Sequence, residues 1–328
     1  MSETNQTRLR FDADDLPERD RFPAFCEGFV RRYVALDIVN RGADIFRGSL
    51  EIQRAGSVHI AAVAGSPISL SRTQALMRDG NDGVAIIFCR SGILHASQSG
   101  NEHRLQRGEA VVCDNARLGC LSAQADIDVW AVEIPRSRLS SLVAGADDLG
   151  GCKLTNNPDA VRLLFSYLKE FSVAATGLNQ PASRLFGDHI IDLVALALAT
   201  PRMLSEARRL PGVREAKLLA VLEAIKCGFS DADFSASCVA TKLGITPRYV
   251  HHLLEGSGKT FSQYVLQLRL NRAAQLLSDP SRDCQKIGDI ALEVGFADIS
   301  HFNRSFRKHF GQTPRAIRIE ANQKRWCD

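Results

Sequence analysis

The chain has 328 residues, 45% hydrophobic and 24% charged, with a net charge of +4. One core rarely grows much past about 250 residues, so two domains are expected, with the composition of an ordinary soluble globular protein. No run approaches the about 18 apolar residues of a membrane span, and Met1 to Asp20 lacks the apolar core of a signal peptide, so a cytoplasmic protein without a membrane partner is expected.

The charge is unevenly placed. Arg214 to Asp328 holds 17 Lys/Arg against 12 Asp/Glu, a net of +5, while the remainder carries 24 against 25, a net of −1. Residues 304–325 alone hold seven basic groups and one acid. Such local charge attracts phosphate backbones. The nine Cys show no CxxC spacing, and several lie in apolar runs, which points to buried free thiols in a reducing compartment.

In chain order, residues 1–40 look like a polar arm leading into one helix, Pro23 to Tyr33, with Phe25, Phe29 and Val30 on one side. Short alternating or apolar runs follow: 50–53, 58–63, 68–72, 84–89, 93–97, 110–113, 118–122 and 127–134. Turn residues separate them, and 79–83 and 97–100 read as hairpin turns. This spacing predicts a β-sandwich or small barrel, which can enclose one small ligand. Residues 158–175 and 182–200 switch to a helical period, the second with a stripe of Leu185, Ile190, Leu193, Val194, Leu196 and Ala197. These helices either pack across the barrel or pair with a second chain as a homodimer. The stretch 205–212 reads as a linker between a domain at 1–204 and another at 213–328.

From Val213 the pattern is helical throughout, and one short motif occurs twice. The first copy runs Ala240-Thr-Lys-Leu-Gly-Ile245 into Thr246-Pro-Arg-Tyr-Val-His-His-Leu-Leu254. The second runs Ala291-Leu-Glu-Val-Gly-Phe296 into Ala297-Asp-Ile-Ser-His-Phe-Asn-Arg-Ser-Phe306. Each reads as a helix, a glycine turn and a second helix with polar and basic residues, the layout of a helix-turn-helix. The two motifs span about 235–256 and 286–310, and a helix over about 260–278 links them. At about 1.5 Å per residue that linking helix is roughly 27 Å long, against about 34 Å between successive major-groove faces.

The combination is specific. Gly258-Lys-Thr-Phe261, Tyr264, Arg269-Leu270, Ala273 and Leu276-Leu277 are followed by Ile290-Ala291, Gly295-Phe296, Ser300-His-Phe302, Phe306-Arg-Lys-His-Phe-Gly311 and Thr313-Pro314. The stretch Ser235 to Arg318 thereby resembles the DNA-binding domain of the AraC/XylS family of transcription regulators. More loosely, Phe11-Asp-Ala-Asp-Asp-Leu-Pro17, Leu105-Gln-Arg-Gly-Glu109 and Cys113-Asp114 resemble the sensor domain of XylS-like members. The resemblance implies a cupin-like N-terminal barrel that binds a small-molecule effector and helps dimerise, and an all-α C-terminal domain. It also implies promoter DNA and RNA polymerase as partners, with activation the expected sign of regulation.

In the first motif Arg248, His251 and His252 share one face, and in the second Ile299, Ser300 and Arg304 take the matching places. These are the candidate base readers. Arginine can give guanine two hydrogen bonds, whereas Ile299 offers only apolar contact or is a partly buried helix start. Lys259, Thr260, Ser262, Arg307, Lys308 and Thr313 are the candidate phosphate contacts. Arg269 is expected to form internal ion pairs with Asp or Glu.

Little suggests an enzyme. No phosphate-binding loop, dinucleotide fingerprint or nucleophile elbow occurs, and no cofactor is implied. The alternative is a cupin-type metal enzyme, which would need His59, His95 and His103, with Glu102, to converge. The effector and the residues that bind it are not readable in the sequence.

Overall fold

The computed structural model describes residues 8–32, 34–42, 44–143, 145, 148–155, 157–174, 178–199 and 210–325. The stretch expected as a linker lies largely outside them, as do the side chains of Phe29 and Val30. The chain divides into two compact units, Met1–Ala216 and Lys217–Asp328.

The first unit is built on two antiparallel sheets. One has the order β1 (Arg8–Asp12), β3 (Gly48–Ala55), β4 (Val58–Gly65), β11 (Ile127–Ile134), β6 (Val84–Ser91), β9 (Ala110–Asp114). The other runs β2 (Asp37–Asn40), β5 (Ile68–Arg72), β10 (Gly119–Ala123), β7 (Leu94–Gln98), β8 (Asn101–Leu105). All eight expected runs are strands. Three more, β1, β2 and β8, escape the apolar-run criterion because each is short and polar or only half-buried. The arm of residues 1–40 therefore includes two strands besides its helix. That helix, α1 (Glu18–Arg32), starts five residues before the expected Pro23 and carries the proline inside.

Period-2 alternation sorts each strand of the six-stranded sheet into two faces. Val63, Val129, Ala131, Ala85 and Ile87 face the other sheet and close the barrel core. Trp130 and Phe88 face the opposite way, where Phe165 stacks on them at 5.1 and 6.3 Å. After the short α2 (Arg136–Ser140) comes α3 (Pro158–Ala174), which carries Phe165 and pairs with α4 (Gln180–Leu198). A Cβ on Gly187 of α4 would lie 2.1 Å from the Ala55 carbonyl, so only glycine allows this approach. Leu185, expected in the apolar stripe of this helix, is instead 55% exposed.

The turn at Ser99-Gly100 joins β7 to β8 with both φ angles positive, as a two-residue hairpin requires. The segment 79–83 is not a hairpin. It is the crossing from β5 in one sheet to β6 in the other, and it is organised by Arg72. That guanidinium, 5% exposed, grips the Asp79 carboxylate at 2.6 and 2.8 Å and donates to the carbonyls of Ala35, Leu76, Asn81 and Asn115. The free cysteines are not uniformly buried. Cys89 is, whereas Cys227, Cys238 and Cys284 are exposed.

The second unit continues α5 (Pro211–Gly228) into α6 (Ala236–Leu243), α7 (Pro247–Glu255), α8 (Phe261–Ser278), α9 (Ile287–Glu293), α10 (Ile299–Phe310) and α11 (Pro314–Arg325). It has two cores. Val221 and Ile225, Val239 and Ala240, Val250, Leu253 and Leu254 gather around Phe261 and Val265 at the start of α8. Ile290 and Ala291, Phe296, Phe302 and Phe306 gather around Leu270, Ala273, Leu276 and Leu277 at its end.

Replacing Asp79 with Ala should lower stability by about 3 kcal/mol, the lower end for removing one partner of a buried pair. Arg72 holds the Asp79 carboxyl down to about 2 from its ordinary 3.8. That contribution is complete above the ordinary value and is lost as pH falls toward about 2. Denaturant melts from pH 7 to 2 should show the D79A variant less stable at neutral pH and less sensitive to acid.

Candidate nucleic-acid interface

Both motifs are assembled from local signals. In the first, α6 ends on Gly244 at φ +64°, whose N–H returns to the carbonyls of Ala240 and Thr241. Thr246 then caps α7, accepting the Tyr249 N–H at 3.2 Å, with Pro247 at the first helical position. In the second, the turn after α9 passes through Gly295 at φ +95°. Asp298 caps α10 by accepting the Ser300 N–H at 2.8 Å.

The apolar faces of α7 and α10 turn inward on Val250, Leu253, Leu254, Phe302 and Phe306. The opposite faces therefore carry the polar residues. Arg248, His251 and His252 are exposed on α7, and Ser300 and Arg304 on α10. Arg248 and Arg304 form no hydrogen bond or ion pair among the described residues. His252 is different: its Nδ1 lies 3.1 Å from the Glu255 carboxylate. Ile299 is 44% exposed, with Cδ1 only 3.1 Å from where a Cβ on Gly288 would sit, so it is partly packed between the two helices of its motif.

Ser262, Arg307 and Lys308 are exposed. The last two sit in the final turn of α10, where positive charge complements the helix dipole. Thr260 and Thr313 are exposed at the starts of α8 and α11, and each hydroxyl accepts a backbone N–H, from Gln263 and Ala316. Lys259 is drawn back along α8, donating to Gln267 at 2.8 Å with its Nζ 5.6 Å from the Tyr264 ring centre.

Arg269 departs from expectation. It bonds no carboxylate. Its guanidinium donates to the carbonyls of Phe229 and Asp231, both at 2.7 Å, just past the end of α5. Burial lowers its pKa from the ordinary value. The same guanidinium fills the space a side chain on Gly295 would need, since a Cβ there would fall 2.9 Å from its Nε. One arginine on the linking helix thus bridges the first motif's support to the second motif's turn. Nothing in the spacing of residues 229, 231, 269 and 295 signals this contact.

The histidines of the enzyme reading do not converge. His95 and His103, with Glu102, border a shallow depression on the five-stranded sheet, while His59 lies on the six-stranded sheet 3.7 Å from Glu133. Among the described residues no cluster of His, Cys, Asp and Glu is arranged to hold a metal.

Each unit matches a domain model of its own. Residues 239–319 match the helix-turn-helix domain model, and residues 26–199, more than half of the chain, match the AraC-binding-like domain model. The transcriptional activator NphR of a Rhodococcus species is 26% identical over 268 residues, covering 81% of this chain and 78% of its own. The transcriptional activator RhrA of Rhizobium meliloti is 37% identical over 94 residues, 29% of this chain and 30% of its own. The crystal structure of the AraC-like transcriptional activator CuxR superimposes with a TM-score of 0.51 over 88% of this chain and 99% of that one. At 17% identity that likeness is one of fold. A sensor-type β-barrel followed by paired helix-turn-helix motifs defines a DNA-binding transcription regulator. The chain belongs to the AraC family.

Thr260 and Gln263 cap α8 reciprocally, the threonine accepting the Gln263 N–H while the Gln263 side chain accepts the Thr260 N–H at 2.8 Å. Thr260→Ala should cost about 1 kcal/mol, the usual loss for a helix cap. Amide exchange at the first turn of α8 should quicken by about fivefold, with the barrel amides unchanged.

Proposed function

We propose that this regulator is a cytoplasmic, effector-responsive activator in which residues 1–204 sense and 213–328 read DNA. In this reading α7 and α10 enter successive major grooves of a promoter. The observation that carries it is the duplicated motif on one helix. Eighteen residues of α8 make a rod of about 27 Å, and the helices at its ends extend its reach toward the pitch of DNA. Arg248 and Arg304 are the principal base readers, because each is exposed and uncommitted. His251 and Ser300 supply further polar contacts. His252 does so only by leaving Glu255, and Ile299 offers a methyl-sized apolar contact. Lys259, Thr260, Ser262, Arg307, Lys308 and Thr313 hold the backbone.

The effector binds within the barrel and shifts the population of DNA-competent molecules. The NphR relative is a transcriptional activator over most of its length, which supports activation here and hence an encounter with RNA polymerase. A homodimer completes the reading.

Mapping of bound genomic sites supplies the operator for the test. Arg248→Ala and Arg304→Ala should each weaken operator binding by about 5- to 150-fold, the span of about 1–3 kcal/mol per base contact. Arg248→Ala should also narrow the gap between operator and random DNA. Lys308→Ala should weaken both alike and reduce the slope of log affinity against log salt by about one. Equal effects of R248A and K308A on operator and random DNA would reject the assignment of base readers.

A further inference from the structure

Between the two sheets lies a cavity of about 80 Å³, walled by Val63, Ile68, Ala85, Ile87, Ala96 and Ala131 among others. Taking this barrel as the effector chamber, as proposed above, its chemistry restricts what can enter. The charged and amide side chains that reach the cavity are Arg72, Gln98, Asp114 and Asn115. Each is already committed to the protein.

Arg72 offers five N–H groups. They are taken by Asp79 and by the carbonyls of Ala35, Leu76, Asn81 and Asn115. Gln98 accepts the Asp114 N–H at 2.7 Å and donates to the carbonyls of Asp114 and Arg117 at 2.9 and 3.3 Å. The Asp114 carboxylate is paired with Arg136 and, at 3.2 Å, with Arg117. The Asn115 amide donates to Asn81 and Glu133 at 3.2 and 3.3 Å.

A carboxylate entering this space would find no free cation among the described residues. An ammonium would find its one carboxylate already neutralised, and a sugar would lose its water without a set of polar partners to replace it. The volume sets a second limit. An engineered apolar cavity of about 150 Å³ takes benzene, so a space of about 80 Å³ admits a single ring only as its walls yield.

We propose that the barrel takes an uncharged, predominantly apolar molecule no larger than one ring, and excludes carboxylates, amines and sugars. The experiment uses the full chain with isosteric probes: toluene, benzoate, benzylamine and, as a polyol, arabinose. Binding is followed by calorimetry and by the methyl resonances of Ile68 and Ile87. Toluene should bind saturably at millimolar concentration or below and shift both methyls, while the other three leave them unmoved. Ala131→Leu, which fills the cavity, should weaken toluene by at least tenfold. The methyl shifts in the parent protein keep the test intact should that variant fold poorly. Benzoate, benzylamine or arabinose shifting those methyls more than toluene would overturn the ligand class while leaving the barrel as the chamber. Toluene binding that leaves both methyls unmoved and is indifferent to A131L would overturn the barrel assignment itself. No binding by any of the four would overturn the proposed size and polarity.

Discussion

The DNA-binding unit depends on one helix being continuous. The first residues of α8, Phe261 and Val265, belong to one core, and its last residues, Leu276 and Leu277, to another. Neither motif could bury its apolar face alone, because each is only two short helices. By feeding both cores, α8 fixes the motifs to a common axis, and its reciprocal cap holds the first turn that the first core needs. Arg269 adds a polar tie to the same helix. Its bonds to the carbonyls of Phe229 and Asp231 fasten it to the segment that follows α5. The rigidity demanded by a two-groove reader is therefore written into packing and capping rather than into any feature of the exposed faces.

The barrel divides its polar and apolar work by position. Small aliphatic side chains line the middle, and the charges lie at the margin, locked to one another and to backbone carbonyls. Arg72 is the centre of that margin. It ties the crossing between the sheets to Ala35, just before β2, and to the residue after β9, and with Gln98, which bonds Asp114, it links two sheets that share no ladder. An apolar interior with a committed polar rim is the physical basis of the ligand selectivity proposed above.

Much of this was legible in the sequence, and the failures have physical causes. The duplicated motif, its glycine turns and the length of the linking helix followed from short-range signals, because caps and turns are decided within a few residues. So did every strand with a continuous apolar run. The exposure of Arg248, Arg304 and Lys308 followed from the opposite face being apolar. What was not legible depends on long-range placement. In place of the ion pairs expected of Arg269 there are carbonyl bonds, because the fold brings the segment after α5, forty residues away in the chain, against its guanidinium. The role of 79–83 was misread because a glycine-rich run looks alike whether it reverses a strand or changes sheet. Leu185 fitted a helical stripe yet faces outward. A ligand-sized interior was expected of a small barrel, but its lining was not legible, since it comes from small residues on strands far apart in the chain.

One of the three strands that apolar runs do not reveal, β8, closes one side of the five-stranded sheet, and its sequence Asn101-Glu-His-Arg-Leu105 is mostly polar. The corresponding margin of the other sheet, β9, is shielded by residues 151–154, which bond to it through Gly151, Cys152 and Leu154. Open ladders recruit foreign strands when they are long, flat and greasy. Here one rim is charged and the other is occupied, so neither β8 nor β9 offers a neighbouring copy a bare apolar strand to pair with.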